Sequence, residues 1–477
     1  MHSGTWRSVA LCFTAAVWLL ATGPAAAQCP AWSPPTTMEP LNAGTQSFAI
    51  FHNRLIITGG FTSIGGVATG GPVAFDGSTF TPMTLGRVGG GGGQLAVHQS
   101  QLYITGGIAG TAGQIWSGSS WVTWPGTGTL TGSTQIARSI HGAPSLGVFA
   151  EGGFVFPGGV IVRHAFWESG AWRPASTQWG PNVEGNNAFA NVRDVEEYEG
   201  FLYVAGDFAS IARGSAFNQN TVQSQGACIY DGSQWFPMPR GGLNGTVRDM
   251  VIFQDQLYLA GDFTATRDAA ITLNRVARFD GTNYFPVGTG SGVAISSLCV
   301  ADDGTGEKLF LTASTGALLR SDGGTPAFLP TLFGSPLISA AFDPGFGMKV
   351  YVGGSGLRTN LQTQNGSGLI AWGPATTSTI DTDGDGLPDS WEINGIDGDC
   401  NGTIDLNLAA LGANPNHKDL FVEVDSMQGR APLAGVMASV QAAFANAPVS
   451  NPDGVQGINL RIIQDAGDQT SHCRTFH

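Results

Sequence analysis

Leu202-Tyr-Val-Ala-Gly-Asp207-Phe208 returns as Leu257-Tyr-Leu-Ala-Gly-Asp262-Phe263, and this repetition decides how the chain is built. Earlier copies read Leu55-Ile-Ile-Thr-Gly-Gly-Phe61 and Leu102-Tyr-Ile-Thr-Gly-Gly-Ile108. Degenerate ones are Leu146-Gly-Val-Phe-Ala-Glu-Gly152, Leu309-Phe-Leu-Thr-Ala-Ser-Thr315 and Val350-Tyr-Val-Gly-Gly-Ser-Gly356. A second signature follows many of them, as Phe75-Asp-Gly-Ser-Thr-Phe80, Tyr230-Asp-Gly-Ser-Gln-Trp235 and Phe279-Asp-Gly-Thr-Asn-Tyr284. Looser forms are Trp116-Ser-Gly-Ser-Ser-Trp121 and Trp167-Glu-Ser-Gly-Ala-Trp172. Each unit reads as an apolar strand, a glycine turn, a strand ending in Asp-Gly and an aromatic strand.

Units begin at 55, 102, 146, 202, 257, 309 and 350. A spacing of roughly 41 to 56 residues with about four strands each suits a propeller blade rather than a helical solenoid. The expectation is a mainly β chain with a seven-bladed β-propeller over 28–376. A blade cannot bury both faces alone, so ring closure must supply the stability. The last unit ends at Leu369-Ile-Ala-Trp372 without an aromatic strand, while Ala31-Trp32-Ser-Pro34, with Met38 after it, resembles Gln234-Trp235-Phe236-Pro237-Met238. The N-terminal strand is therefore expected to complete the last blade and hide two sheet edges.

The pattern of four apolar residues, a Gly pair and a spaced aromatic pair resembles kelch-like propeller repeats, over about 340 residues. It departs where Gly-Asp replaces Gly-Gly in units four and five, and where units six and seven lose the second aromatic. Some kelch-like propellers carry copper oxidase sites, but no Tyr, His and Cys set here can be assigned to one. The inserts Ala209 to Gly226 and Thr264 to Asn274 follow the second strand of adjacent units. They mark one face as the default place for a protein or glycan ligand. A glycan-active enzyme would instead need paired acidic residues converging on the central channel.

Composition narrows the classes. Of 477 residues, 71 are glycine, yet 42% are hydrophobic and 10% aromatic, which turn-dense β structure reconciles. A formal charge of −14 argues against nucleic acid or an anionic membrane as partner. Arg7, the apolar run Val9 to Leu20 and Ala25-Ala26-Ala27 before Gln28 read as a signal peptide over 1–27, and no stretch reads as a membrane span. Export to a secreted or extracellular location, the cell envelope included, follows. Once Cys12 is removed, Cys29, Cys228, Cys299, Cys400 and Cys473 remain, an odd and scattered set rather than a disulfide framework, with Cys228 and Cys299 as core fillers. His52, His98, His141 and His164 stand singly, without metal-ligand spacing, and read as structural.

Beyond the repeats, Asp381-Thr-Asp383-Gly-Asp385-Gly386-Leu-Pro-Asp389-Ser-Trp-Glu392 spells a calcium loop. Asp381, Asp383, Asp385, Asp389 and Glu392 occupy loop positions 1, 3, 5, 9 and 12, Gly386 makes the turn, and Leu387 offers its carbonyl. Calcium is the expected cofactor, with an affinity on the order of 10⁻⁴ to 10⁻³ M. A second loop places Asp397, Asp399, Asn401, Thr403 and Asp405 at positions 1, 3, 5, 7 and 9, with Gly402 at the turn. Its twelfth position is Leu408, so it should bind more weakly, and Leu408→Glu should tighten it. The pair, over 377–410, resembles thrombospondin type 3 and related DxDxDG repeats of secreted proteins.

The remaining 411–477 reads as an incomplete β-α-β segment. Lys418 to Asp425 alternates as a strand; Leu433, Val436, Met437, Val440 and Phe444 form a helical face within Ala431 to Asn446; Gly457 to Ile463 is a second strand. The run from Asp381 to Asp425 resembles the opening segment of secreted bacterial zinc metallopeptidase-like proteins, in which a His-Glu-x-x-His helix would follow. That motif is absent, His472 and His477 are not spaced for it, and Glu423 and Asp425 read as solvated. The expected function is a secreted calcium-binding propeller that binds or displays a ligand without catalysis in this chain. The alternative is the truncated front half of a secreted zinc metallopeptidase.

Overall fold

The computed structural model of the protein describes residues 30–33, 41, 43–64, 67–84, 87, 92–105, 113–124, 137–156, 160–176, 180–182, 191–214, 219–303, 306–330, 332–343, 348–359, 367–374, 381–396, 404, 406–424 and 434–463. The chain divides into two compact units, one spanning Pro30–Pro374 and one carrying Ala375–His477. Among the described residues, the first unit holds seven four-stranded antiparallel sheets. The innermost strands touch in chain order, Thr45–Ile50, Leu95–His98, Ala137–Ala143, Asn191–Tyr198, Val247–Phe253, Ile295–Asp302 and Leu332–Phe342, and the last touches the first. The architecture is a β-propeller.

The two sequence signatures have separate structural causes. In Phe279-Asp-Gly-Thr-Asn-Tyr284 the aromatic residues sit directly opposite each other on the third and fourth strands, with ring centroids 5.0 Å apart. The same cross-strand pairing joins Phe75 to Phe80, Tyr230 to Trp235, Trp116 to Trp121 and Trp167 to Trp172. Such pairs are the unit of sheet stabilisation, and most of these rings are buried. The turn between them is held by Asp. Asp280 Oδ1 accepts the N–H groups of Thr282 and Asn283 at 2.9 and 2.7 Å. Asp76 and Asp231 do the same in their turns. The next glycine takes a positive φ, 100° at Gly77 and 88° at Gly281, which a side chain resists.

The glycine closing the first signature answers a different need. In units four and five the first strand carries a bulge opposite it, between Val192 and Asp194 and between Val247 and Asp249. A Cβ on Gly206 would lie 2.3 Å from the Asn191 carbonyl, and one on Gly261 2.1 Å from that of Thr246. The Asp that follows has its own partner across the pair. Arg248 donates to Asp262 at 2.7 and 3.0 Å, and Arg193 stands 3.6 Å from Asp207. The Gly-Asp departure in units four and five is thus a strand-one Arg matched by a strand-two Asp.

The apolar core lies between neighbouring sheets. One cluster joins Tyr203, Met238 and Ala227 to Leu257, Phe263 and Phe279, and another joins Leu55, Phe61 and Phe75 to Tyr351, Leu369 and Ala371. The second of these seals the first sheet to the last. Closure is also covalently non-local, because Pro30–Ser33 pairs with Ser367–Pro374 in the register Trp32 to Trp372.

The described parts of both inserts are tied down by backbone pairing. Ser210–Ala212 is buried and pairs with both Gly180–Asn182 and Thr221–Gln223. Bridges join Ala265 to Thr272, Leu243 to Thr266 and Gln225 to Gly242, so the two inserts are tied together through 242–243. An Arg267–Gln225 hydrogen bond and the 2.8 Å Arg240–Asp268 ion pair add to this.

In the second unit, strands Asp419–Glu423 and Asn459–Ile463 pair in parallel around helix Ala434–Ala445. The helical face read from the sequence is not the packed one throughout. Met437 and Phe444 are half-buried, but Val436 and Val440 are exposed, as is Leu420 on the sheet. Leu433, Asp425 and the side chain of Glu423 lie outside the described residues.

Candidate metal centre

Asp381 to Glu392 folds back on itself through its own carboxylates. Asp381 accepts N–H groups from Gly384, Asp385 and Gly386 at 2.7, 3.2 and 2.9 Å. Asp383 accepts from Asp385 at 3.1 Å, and Asp385 from Leu387 at 2.7 Å. Gly384 and Gly386 take φ of 73° and 95°, so the turn at Gly386 requires glycine. Pro388 then leads into the short helix Asp389–Asn394, on which Glu392 lies.

Two groups of carboxylates result, Asp381 with Asp383 and Asp385, and Asp385 with Glu392 and Asp419. In each group the oxygens available to a metal lie within 4.8 Å of one another. Glu392 is only 1% exposed, and neither of its oxygens has a hydrogen-bond partner. Asp383 Oδ2 and Asp419 Oδ1 are also buried without one. Burial first, and neighbouring carboxylates second, push Glu392 up to about 8 and Asp383 up to about 6. Burial raises Asp385 and Asp419 too. Lys418 offsets part of this rise at Asp383, and Arg461, its Nε 3.8 Å from the carboxylate, does so at Asp419, yet burial prevails at both. Orphaned, mutually repelling carboxylates are costly alone and become ligands around a hard cation. An all-carboxylate donor set suits calcium rather than zinc.

Asp419 is the residue that reading the loop missed. It opens strand Asp419–Glu423, and its N–H donates to Asp385 Oδ2 at 2.7 Å. Asp389, the expected ninth ligand, belongs to neither carboxylate group and instead accepts from Thr382 N and Oγ1 at 2.8 and 2.6 Å. In the second loop, Asp397, Asp399, Asn401, Gly402, Thr403 and Asp405 lie outside the described residues. Its flanks pair through reciprocal Ile396–Leu406 hydrogen bonds of 2.8 and 3.0 Å. Leu408 is 2% exposed, so Leu408→Glu would bury a charge where the sequence reading expected a free ligand position.

A second set of acids lies on the innermost strands of the propeller. Asp194 and Asp249 each follow the bulge of their strand. Asp194 accepts the Met250 N–H at 2.9 Å, and Asp249 accepts that of Leu298 at 2.6 Å, each from the neighbouring sheet. Ser47 and Ser297 make the corresponding bonds to Leu95 and Ser339 at 3.0 and 3.1 Å. These acids are therefore latches between sheets. Burial raises Asp194 to about 6 and Asp249 well above its usual value, while burial and these neighbours raise Glu196 to about 8. His141, 3.7 Å from Asp194, is lowered by burial to about 4. Paired acids do converge here, but as acceptors for backbone N–H groups.

The other single histidines are packing groups, with His164 against Phe149 and Trp235, and His52 stacked on Phe51. Cys228 and Cys299 are free and buried, with thiols pushed up by burial. Cys29, Cys400, Cys473, His472 and His477 lie outside the described residues. No described helix is long and apolar enough to cross a membrane.

No protein-family profile matches the chain, and no curated protein does. Among solved structures it is similar to YCF48 from Cyanidioschyzon merolae, at 12% identity and a TM-score of 0.44, covering 73% of this chain and 100% of that one. It is also similar to the WD40 repeats of RRP9, at 10% identity and a TM-score of 0.39, covering 72% and 99%.

Proposed function

We propose that this chain is a secreted, calcium-binding propeller protein that presents a seven-bladed scaffold to a protein or glycan ligand and carries no catalysis of its own. The observation that carries the calcium reading is Glu392, buried with both oxygens unpartnered and gathered with Asp385 and Asp419. Bound calcium would supply charge neutralisation and a rigid oxygen-coordinated node, and the chain's part is to hold the carboxylates in place. Secretion is supported by the signal-like residues 1–27, and millimolar extracellular calcium would fill even a modest site. The tied inserts at 209–226 and 264–274 favour that face for ligand contact. The kelch-like, thrombospondin-like and peptidase-like resemblances belong to this reading as ancestry. Calorimetric titration of the full chain with calcium tests it. Binding at or below about millimolar affinity, abolished or strongly weakened by Glu392→Gln, is the expected result. No binding heat at millimolar calcium would refute it.

A further inference from the structure

Asp419 lies outside the twelve-residue loop, yet its carboxylate is placed as a ligand would be. It is 5% exposed, its Oδ2 accepts the Asn414 N–H at 2.7 Å, and its Oδ1 has no hydrogen-bond partner. An oxygen of this residue lies within 4.8 Å of oxygens from Asp385 and Glu392, themselves ligands by position. Asp389 is placed differently: it belongs to neither group of converging carboxylates, and it accepts the N–H and the hydroxyl of Thr382, so it braces the start of the loop.

Resting on the calcium reading above, we infer that Asp419 replaces Asp389 as a direct ligand of the ion, so that calcium fastens the β-α-β segment to the loop. The oxygen count supports the exchange. Asp381, Asp383, Asp385 and Asp419 with one oxygen each, the Leu387 carbonyl and a bidentate Glu392 make about seven, inside the range calcium prefers. The Asp419 N–H already clips the strand to the ligand Asp385. The strand pair has a small apolar core among the described residues, since Leu420, Val436 and Val440 remain exposed around one helix and two strands. A segment with so small a core is the kind that a metal staples.

The test is calcium titration of the full chain and of its Asp419→Asn, Asp389→Asn and Glu392→Gln variants. It is followed by calorimetry and by terbium luminescence sensitised through Trp391, which is buried in the helix that bears Glu392. Asp419→Asn is expected to weaken binding about tenfold or more, as Glu392→Gln does, and Asp389→Asn by less than about threefold. Hydrogen exchange on the unmodified chain should show calcium protecting 419–423 and 459–463, which keeps the question open to measurement even if a variant misfolds. If the natural chain binds no calcium, the reading of the loop itself fails. If it binds and Glu392→Gln weakens it, but Asp419→Asn is neutral or calcium leaves 419–423 unprotected, this inference alone is overturned.

Discussion

The propeller and the C-terminal unit are stabilised by opposite means. In Pro30–Pro374 each sheet buries aromatic and aliphatic side chains against the next, and the ring leaves no sheet without a neighbour. In the unit carrying Ala375–His477, the most deeply buried carboxylate is unpaired and apolar residues of its helix and sheet stay exposed. Burial of apolar area needs no ion from the solution, whereas gathered carboxylates are relieved by a cation that the solution must provide. On the calcium reading proposed above, one chain combines a region insensitive to metal with a region that answers to it.

The sharpest way to break that contrast is to remove calcium. Chelation should speed proteolysis within 381–463 by about tenfold or more while leaving 30–374 intact, as read by limited digestion and mass spectrometry. Equal loosening of both regions would erase the distinction. The converse experiment strikes the propeller alone. Phe279→Ala removes a fully buried ring and its partner contact with Tyr284, and should cost about 3–5 kcal/mol of propeller stability. Calcium affinity should be unchanged, because Phe279 and the carboxylates belong to different compact units with separate cores.

A smaller effect comes from the buried acids of the innermost strands. Their folded-state values lie above the ordinary ones, Asp194 at about 6 against 3.8 and Glu196 at about 8 against 4.5. The folded state thus binds more protons than the unfolded state between those limits, and stability falls as pH rises through them. Thermal unfolding of the propeller should occur a few degrees higher at pH 5 than at pH 8, with Glu196→Gln flattening the upper part of the curve. Asp249, raised by burial, adds to this fall, whereas His141, lowered by burial to about 4, opposes it below the ordinary histidine value. The least effect is expected from Arg248→Ala. It opens a half-exposed ion pair with Asp262 and should cost about 0–1 kcal/mol in denaturant unfolding.

The sheets were readable because their signals are local. A five-residue step between aromatics across Asp-Gly is the length that places two rings opposite each other over a tight turn. The glycine of Gly-Asp was visible, but its cause was not, since the bulge it faces lies on another strand. The latches Asp194 and Asp249 escaped notice for a related reason, as their partners belong to neighbouring sheets. Asp419 is a similar case. A single Asp at the head of a strand carries no spacing signal, and only folding brings it to Asp385. Helical periodicity located the 434–445 helix but could not say whether Val436 and Val440 would be covered.

The pairing of Trp32 with Trp372 also constrains the order of events during synthesis. A ribosome or translocation channel delivers Pro30–Ser33 first and its partner Ser367–Pro374 last, so the ring cannot shut until nearly the whole propeller has been delivered. Throughout that interval the strand waits unpaired and the growing array keeps an open edge, the kind of surface on which neighbouring chains aggregate. Joining residue 374 directly to residue 30 and opening the chain at another turn would let that sheet form from adjacent segments. The native connection instead makes the final hydrogen-bonded seam a signal that the propeller has been delivered entire.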